Sequence, residues 1–230
     1  MSKPIYKINN LSVVSRSIKI LTIKSFEIHR GTCYVINGRV GSGKSAFIDI
    51  LARQNLKYNG RVVFEDDDLQ EISKSEYNKN ISYVSQISKA SWGTVNSYLV
   101  KQIKKYPHLK DHQKLIDKRF KSLNIESMLS KKMRKLTPGE LRLVHLLRGI
   151  ISDTKVLFVD DFDMHLGSYE IDKLSKILYR KCNYDGVTII MSSSNKEIIK
   201  MLANITINMD FGRIKSVRSK PKKRFTKKSK

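Results

Sequence analysis

The chain has 230 residues, 40% of them hydrophobic, and a formal net charge of +24. That length suits one well-buried main domain with a small insertion, and the longest apolar runs, "VLFV" and "VTIIM", fall far short of the roughly 20 residues of a membrane helix. A surface this basic attracts polyanions: nucleic acid, anionic lipid headgroups or the phosphates of a nucleotide.

"IYKIN", "LTIKSFEI" and "TCYVIN" have the alternating or β-branched character of strands, and "GRVGSGKS" is a glycine-rich turn leading into the periodic apolar stretch "SAFIDILARQ", a helix. "RVVFE" and "ISYVS" follow as strands. From about Thr94 to Ser130 the pattern is lysine-rich and helical, with Leu99, Ile103, Leu115, Phe120, Leu123 and Ile125 available for a buried stripe. "GELRLVHLLRGII" is a helix at 3.6 spacing with Pro138 and Gly139 as its start signal. "KVLFVD" and "GVTIIMSS" are the nearly continuous apolar runs of parallel strands buried on both faces. Helices near Tyr169 to Tyr179 and Lys196 to Leu202 precede closing strands "ITINM" and "RIKSV", and beyond about Lys220 the composition is that of a disordered segment. The order predicts an α/β domain with a helical insertion. Cys33 and Cys182 have no CxxC partner and no clustered histidine, so both are expected as reduced structural thiols. "MSKPIYKINN" lacks the apolar core of a secretion signal, which predicts a cytoplasmic protein.

Gly38 to Ser45 fit G-x-x-x-x-G-K-[ST] in full, between a predicted strand and a predicted helix. Glycines at these positions let backbone N–H groups turn inward around a phosphate at a helix N-terminus, where the dipole favours negative charge. Lys44 supplies a point charge to the β- and γ-phosphates and Ser45 a hydroxyl to Mg²⁺. The binding set is Gly38, Arg39, Val40, Gly41, Ser42, Gly43, Lys44, Ser45 and Ala46. Far along the chain, the strand "VLFV" ends in Asp160, a carboxylate placed to meet the same magnesium.

Together these motifs resemble the ATP-binding cassette of ABC transporters over nearly the whole chain up to about Ser216. "LTPGELRLVHLLRGI" is similar to the family's signature segment and its helix, with Leu136, Thr137, Pro138, Gly139 and Glu140 at the positions of L-S-G-G-Q. "YVSQ" places Gln86 as the Q-loop glutamine, and "ANITINMDFGRIKS" resembles the closing strand pair. The resemblance implies a P-loop NTPase fold of ABC type, α/β with an antiparallel β subdomain, a helical subdomain over about 94–138 and a basic tail over 217–230. It implies ATP and Mg²⁺ as cofactors, with Ser45, Gln86 and Asp160 toward the metal. It also implies a second cassette, paired head to tail, and a separately encoded transmembrane protein, which places the chain on the cytoplasmic face of a membrane.

Several positions depart from the family pattern. Pro138 replaces a glycine and removes an N–H from the signature. Asp161 stands where the catalytic glutamate is usual, one methylene shorter. Ser194 stands at the switch histidine; it can hydrogen-bond a phosphate but cannot act as a cation. Asp161, Gln86 and Ser194 therefore form the candidate catalytic set, with efficient hydrolysis not expected. His165 lies nearby in sequence as a substitute or a plain surface residue. The base-stacking aromatic is also missing, Val14 and Ser15 lying at its place, and Tyr6 is far upstream. Trp92 reads either as an interface anchor or as part of the helical subdomain's core.

The ten basic residues from Arg213 onward suit anionic lipid, at about 1 kcal/mol each within a Debye length. Alternatives to the membrane complex are an ATP-dependent protein of nucleic acid or ribosomes, and a non-hydrolysing half of a hetero-dimeric cassette pair.

Overall fold

A computed structural model describes residues 3–220. Its centre is a six-stranded sheet in the order β10-β9-β3-β8-β7-β6, made of β3 (Cys33–Asn37), β6 (Ile81–Val84), β7 (Val156–Val159), β8 (Thr188–Ser192), β9 (Ile205–Asp210) and β10 (Arg213–Ser219). All neighbours pair in parallel except β10, which closes the edge as an antiparallel hairpin with β9. Side chains on a strand alternate between faces, and β3 divides its own accordingly. Cys33 and Val35 join one apolar cluster, Tyr34 and Ile36 the other. Leu157 and Val159 of β7 likewise face away from Val156 and Phe158, which is why the strands read as unbroken apolar runs.

One face is covered by α1 (Lys44–Leu51), α2 (Lys74–Asn80) and a four-stranded antiparallel sheet in the order β2-β1-β4-β5. Its strands are β1 (Pro4–Ser15), β2 (Ile18–His29), β4 (Asn59–Phe64) and β5 (Asp67–Asp68). The hydroxyls of Tyr6 and Tyr77 are hydrogen-bonded to each other, and Tyr77 donates to the Leu51 carbonyl, which ties β1, α2 and α1 together in the interior. Burial of Tyr6 in this way removes it as a surface for a nucleotide base.

The other face carries α5 (Pro138–Ile151), α6 (Ser168–Asn183), α7 (Lys196–Leu202) and the insertion between β6 and α5. The lysine-rich stretch with a helical pattern from about Thr94 to Ser130 contains α3 (Val95–Ile103), α4 (His112–Lys121) and a short 3-10 turn over 126–130, with a second over 133–135. The break falls at Tyr106-Pro107, since proline disfavours helix in the residue before it. Leu99, Ile103, Phe120 and Leu123 are buried as the pattern suggested, but Ile116 is buried in place of Leu115, and Ile125 is only partly covered. The insertion closes at its base, where Val95 N donates to Lys131 O and Met133 N to Gly93 O. Trp92 is not core: it is 76% exposed, with the Arg134 guanidinium 3.3 Å from its ring centroid.

The closing strand β10 continues to Ser219, three residues past the boundary drawn at Ser216. The rest of the tail expected over 217–230 lies outside the described residues from 221 onward. Cys33 and Cys182 are free and buried, and they meet at one side chain: Asn204 Oδ1 accepts from Cys33 N at 2.8 Å and from Cys182 Sγ at 3.5 Å. Burial pushes both thiols up, Cys182 to about 12. Among the described residues no helix is long and apolar enough to cross a membrane.

Candidate functional site

The loop from Gly38 to Gly43 leaves the end of β3 and turns into α1, which begins at Lys44. Gly43 caps the helix at φ +95°, a conformation L side chains rarely adopt. The β9–β10 turn props the loop from behind. Gly212 N donates to Ser42 O, Thr22 N donates to Gly212 O, and a Cβ on Gly212 would lie 2.2 Å from Ile20 O. Arg39 is held to the same turn by an ion pair with Asp210 at 2.9 Å and by its position over the Phe211 ring. Lys44 Nζ donates to the carbonyls of Gly38 at 2.7 Å and Arg39 at 2.9 Å, so its charge is curled onto its own loop.

That loop fits a phosphate. No side chain caps α1, so its first N–H groups are free to face an anion. Val40 and Ser45 are exposed, Ala46 is half-buried, and a Cβ on Gly41 would meet nothing within 4 Å. Ser42 Oγ is buried with no hydrogen-bond partner.

At the ends of β6 and β7 the other candidates gather. Asp160 is buried, and its Oδ1 accepts from Ser192 Oγ at 2.6 Å; the same hydroxyl accepts from Asp161 N at 2.7 Å. Gln86 Nε2 donates to Asp161 Oδ2 at 2.7 Å, which brings these two candidate residues into direct contact. Asp161 reaches this position from a left-handed backbone, φ +52°. Ser194 follows β8, and its hydroxyl lies 3.4 Å from Gly38 O. Ser193 donates to Asp163 Oδ1 at 2.8 Å and anchors the segment after Asp161. Among the described residues no group of three His, Cys, Asp or Glu side chains makes a metal cage. The donors Ser45, Gln86 and Asp160 suit instead a hard cation that keeps water and takes phosphate oxygens.

The segment Leu136–Glu140 stands apart. Among the described residues no hydrogen bond joins it to the phosphate loop, and its bonds are local. Thr137 and Glu140 form a reciprocal cap at the start of α5, with Pro138 in the first turn, where a missing N–H costs the helix nothing. Hydrogen bonds from Lys131 and Thr137 hold the Glu140 carboxyl below its ordinary range. A Cβ on Gly139 would lie 2.7 Å from His165 O, so the His165 backbone sits beside this segment.

Three residues that sequence reasoning passed over help hold the site. Ser192 bridges Asp160 and Asp161 as described. Tyr83 donates to Asp49 at 2.7 Å behind α1. Arg142 of α5 is fully buried and donates to the carbonyls of Ser85, Asp160 and Asp161, each at 2.6 Å. An arginine in an amphipathic helix reads as solvated.

Residues 21–163 match the family described as "ABC transporter". A "Molybdate/tungstate import ATP-binding protein" of Methanocaldococcus jannaschii is 32% identical over 180 residues, 74% of this chain and 58% of that protein. A "Probable iron export ATP-binding protein" of Escherichia coli is 22% identical over 198 residues, covering 86% and 88%. A "Putative ABC transporter ATP-binding protein" of Clostridium tetani is 29% identical over 168 residues, and there the match spans only 37% of the relative's length. In structure the chain is similar to a dimeric ATP-binding cassette in a post-hydrolysis state bound to ADP and Pi. The TM-score is 0.83 at 19% identity, over 93% of this chain and 98% of that one.

Proposed function

The chain belongs to the ABC transporter family of ATP-binding proteins, and from that premise we propose that it is the ATP-binding subunit of a membrane complex, coupling nucleotide binding to a separate transmembrane protein. The observation that carries this is the intact phosphate loop Gly38–Ala46 at the start of α1, together with the Asp160, Asp161 and Gln86 cluster and with Ser194 reaching Gly38. Lys44 and the loop's N–H groups would hold the phosphates of ATP, and Ser45, Gln86 and Asp160 would hold Mg²⁺. The ion, when bound, neutralises charge on the phosphate oxygens. Asp161 is the residue to orient a water, and Gln86 holds its carboxylate in place.

Turnover is slow in this reading. The Asp161 carboxylate is shorter than a glutamate's, and a misplacement of order 1 Å can cost about 10²-fold in rate. Ser194 brings no charge to the phosphate. Two copies, or one copy and a second cassette, would close on the nucleotide. Pro138 in the signature favours a partner cassette that supplies the intact segment. The complex would sit on the cytoplasmic face of the membrane, with the basic C-terminal segment close to anionic headgroups. The +24 charge also supports an ATP-dependent nucleic-acid protein, and strong salt-dependent RNA binding in the absence of a membrane partner would favour that reading.

The deciding experiment measures Mg-ATP affinity beside steady-state turnover. Lys44→Ala should weaken affinity roughly 30- to 150-fold, the worth of one charge-assisted contact of about 2–3 kcal/mol. Asp161→Asn should leave affinity in place and remove whatever turnover the wild-type chain has. Binding indifferent to Lys44 would sink the proposal.

A further inference from the structure

Arg142 occupies an unusual place. Its side chain is fully buried, yet among the described residues no carboxylate makes an ion pair with it within 4.0 Å. Nη1 donates to Ser85 O, and Nη2 to both Asp160 O and Asp161 O, all at 2.6 Å, while Nε has no partner. Burial pushes the guanidinium down, and the nearby carboxylates of Asp160, Asp161 and Asp163 push it back up. A cation in such a place is expensive, and an apolar side chain of similar volume would often stabilise a fold better. What the guanidinium provides is geometry: a planar fork that spans three acceptors at once, which the single ammonium of lysine does not reproduce.

Those three acceptors belong to two separate loops. Ser85 directly precedes Gln86 just after β6, and Asp160 and Asp161 follow β7. Arg142 itself projects from the second turn of α5, whose first turn is the Thr137–Glu140 cap. Asp161 is held at both ends of its left-handed backbone, its N–H by Ser192 Oγ and its carbonyl by Arg142, with Met164 N also donating to that carbonyl. An L residue keeps such a backbone only where its surroundings over-determine it. The result is a carboxylate aimed at Gln86.

We infer that Arg142 is a positioning residue: it makes the start of α5, the Gln86 loop and the Asp160–Asp161 pair shift as one body, and it holds the short Asp161 carboxylate against Gln86. This rests on the nucleotide-binding reading above. Through it, a partner cassette seated on Thr137–Glu140 would be felt at Asp161 without touching it.

Amide hydrogen exchange of the full chain, with and without Mg-ATP, tests the inference. In the wild-type chain ATP should slow exchange at 38–46 and, with one shared midpoint in ATP concentration, also at 85–92, 137–142 and 160–166. In Arg142→Lys, ATP should still protect 38–46 with an affinity within about threefold of wild type. Protection at 85–92 and 137–142 should fall between about 5- and 100-fold, the ordinary range of coupling between sites. A purely structural role would instead lower the unfolding midpoint and leave the coupled protection of the folded chain intact, and that result overturns the inference. So does wild-type protection confined to 38–46, or separate midpoints for the segments; these need no variant and stand even if Arg142→Lys and the apolar Arg142→Met both fail to fold. Absence of any ATP protection at 38–46 in the wild-type chain overturns the nucleotide reading itself, and this inference with it.

Discussion

Ser192 illustrates how much a single hydroxyl can carry. It donates to Asp160 Oδ1 and accepts from Asp161 N, both within a water-excluded strand end. Ser192→Ala leaves a buried carboxylate oxygen and a backbone N–H without partners, a loss of about 1–3 kcal/mol. Urea unfolding should show that loss as a lower midpoint at unchanged slope. His145 makes a different kind of statement. It lies on α5, with Nε2 3.1 Å from Lys89 O and Nδ1 3.4 Å from the Tyr98 hydroxyl, and burial, with the Arg148 charge beside it, pushes its imidazole down to about 4. The unfolded chain takes up a proton near about pH 6.5 that the folded chain refuses. Stability should therefore fall as pH drops from about 6.5 to about 4, and this share of the slope should vanish in His145→Gln. A slope that survives the substitution would assign it to other groups.

At the scale of elements, α5 is the most heavily specified helix. Its first turn has the reciprocal Thr137–Glu140 cap with proline at the start, and its buried face presents Leu143, Val144, Leu146, Leu147, Ile150 and Ile151 to the sheet. Thr137→Ala should cost about 1 kcal/mol and Thr137→Ser much less, since the serine hydroxyl can cap in the same way; chemical denaturation of the pair separates them. The strands of the central sheet and this helix were legible in the sequence because each has a strong period or an unbroken apolar run. By contrast, α2 was not, because "KSEYNKN" is polar throughout and buries only Tyr77. The outer half of β1 was missed for a related reason: Asn9 and Asn10 interrupt its alternation, and Asn10 adopts φ +51°. In the candidate site, the G-x-x-x-x-G-K-[ST] loop was legible from its spacing and Asp160 from the apolar run before it. The Gln86–Asp161 contact was not, since it depends on the backbone turn at Asp161, and Arg142 was hidden by the ordinary expectation that an arginine faces water.

For the whole molecule, the two apolar clusters on opposite faces of one sheet place the phosphate loop on one side and α5 on the other. In the proposed reading, nucleotide and partner surface would communicate through the loops beyond the strand ends, at Gln86, Asp161 and Ser194, with Arg142 tying α5 to them. If Pro138 weakens the chain's own signature, then Asp161→Asn in Mg-ATP should remain mainly monomeric by sedimentation velocity, and an added cassette with an intact signature should draw it into a heterodimer. A stable homodimer under those conditions would show that the proline is tolerated at the interface.

The paired thiols at Asn204 have a practical side. Both cysteine sulfurs are buried and held as thiols far above neutral pH, and only the thiolate reacts with alkylating dyes or nitroxides. A cysteine introduced at an exposed position such as Lys101 or Lys196 should then be the only labelled site in the native protein. Spectroscopic rulers between the helical insertion and α7 can thus be built without first removing Cys33 and Cys182, and with the packing around β3 left as it is.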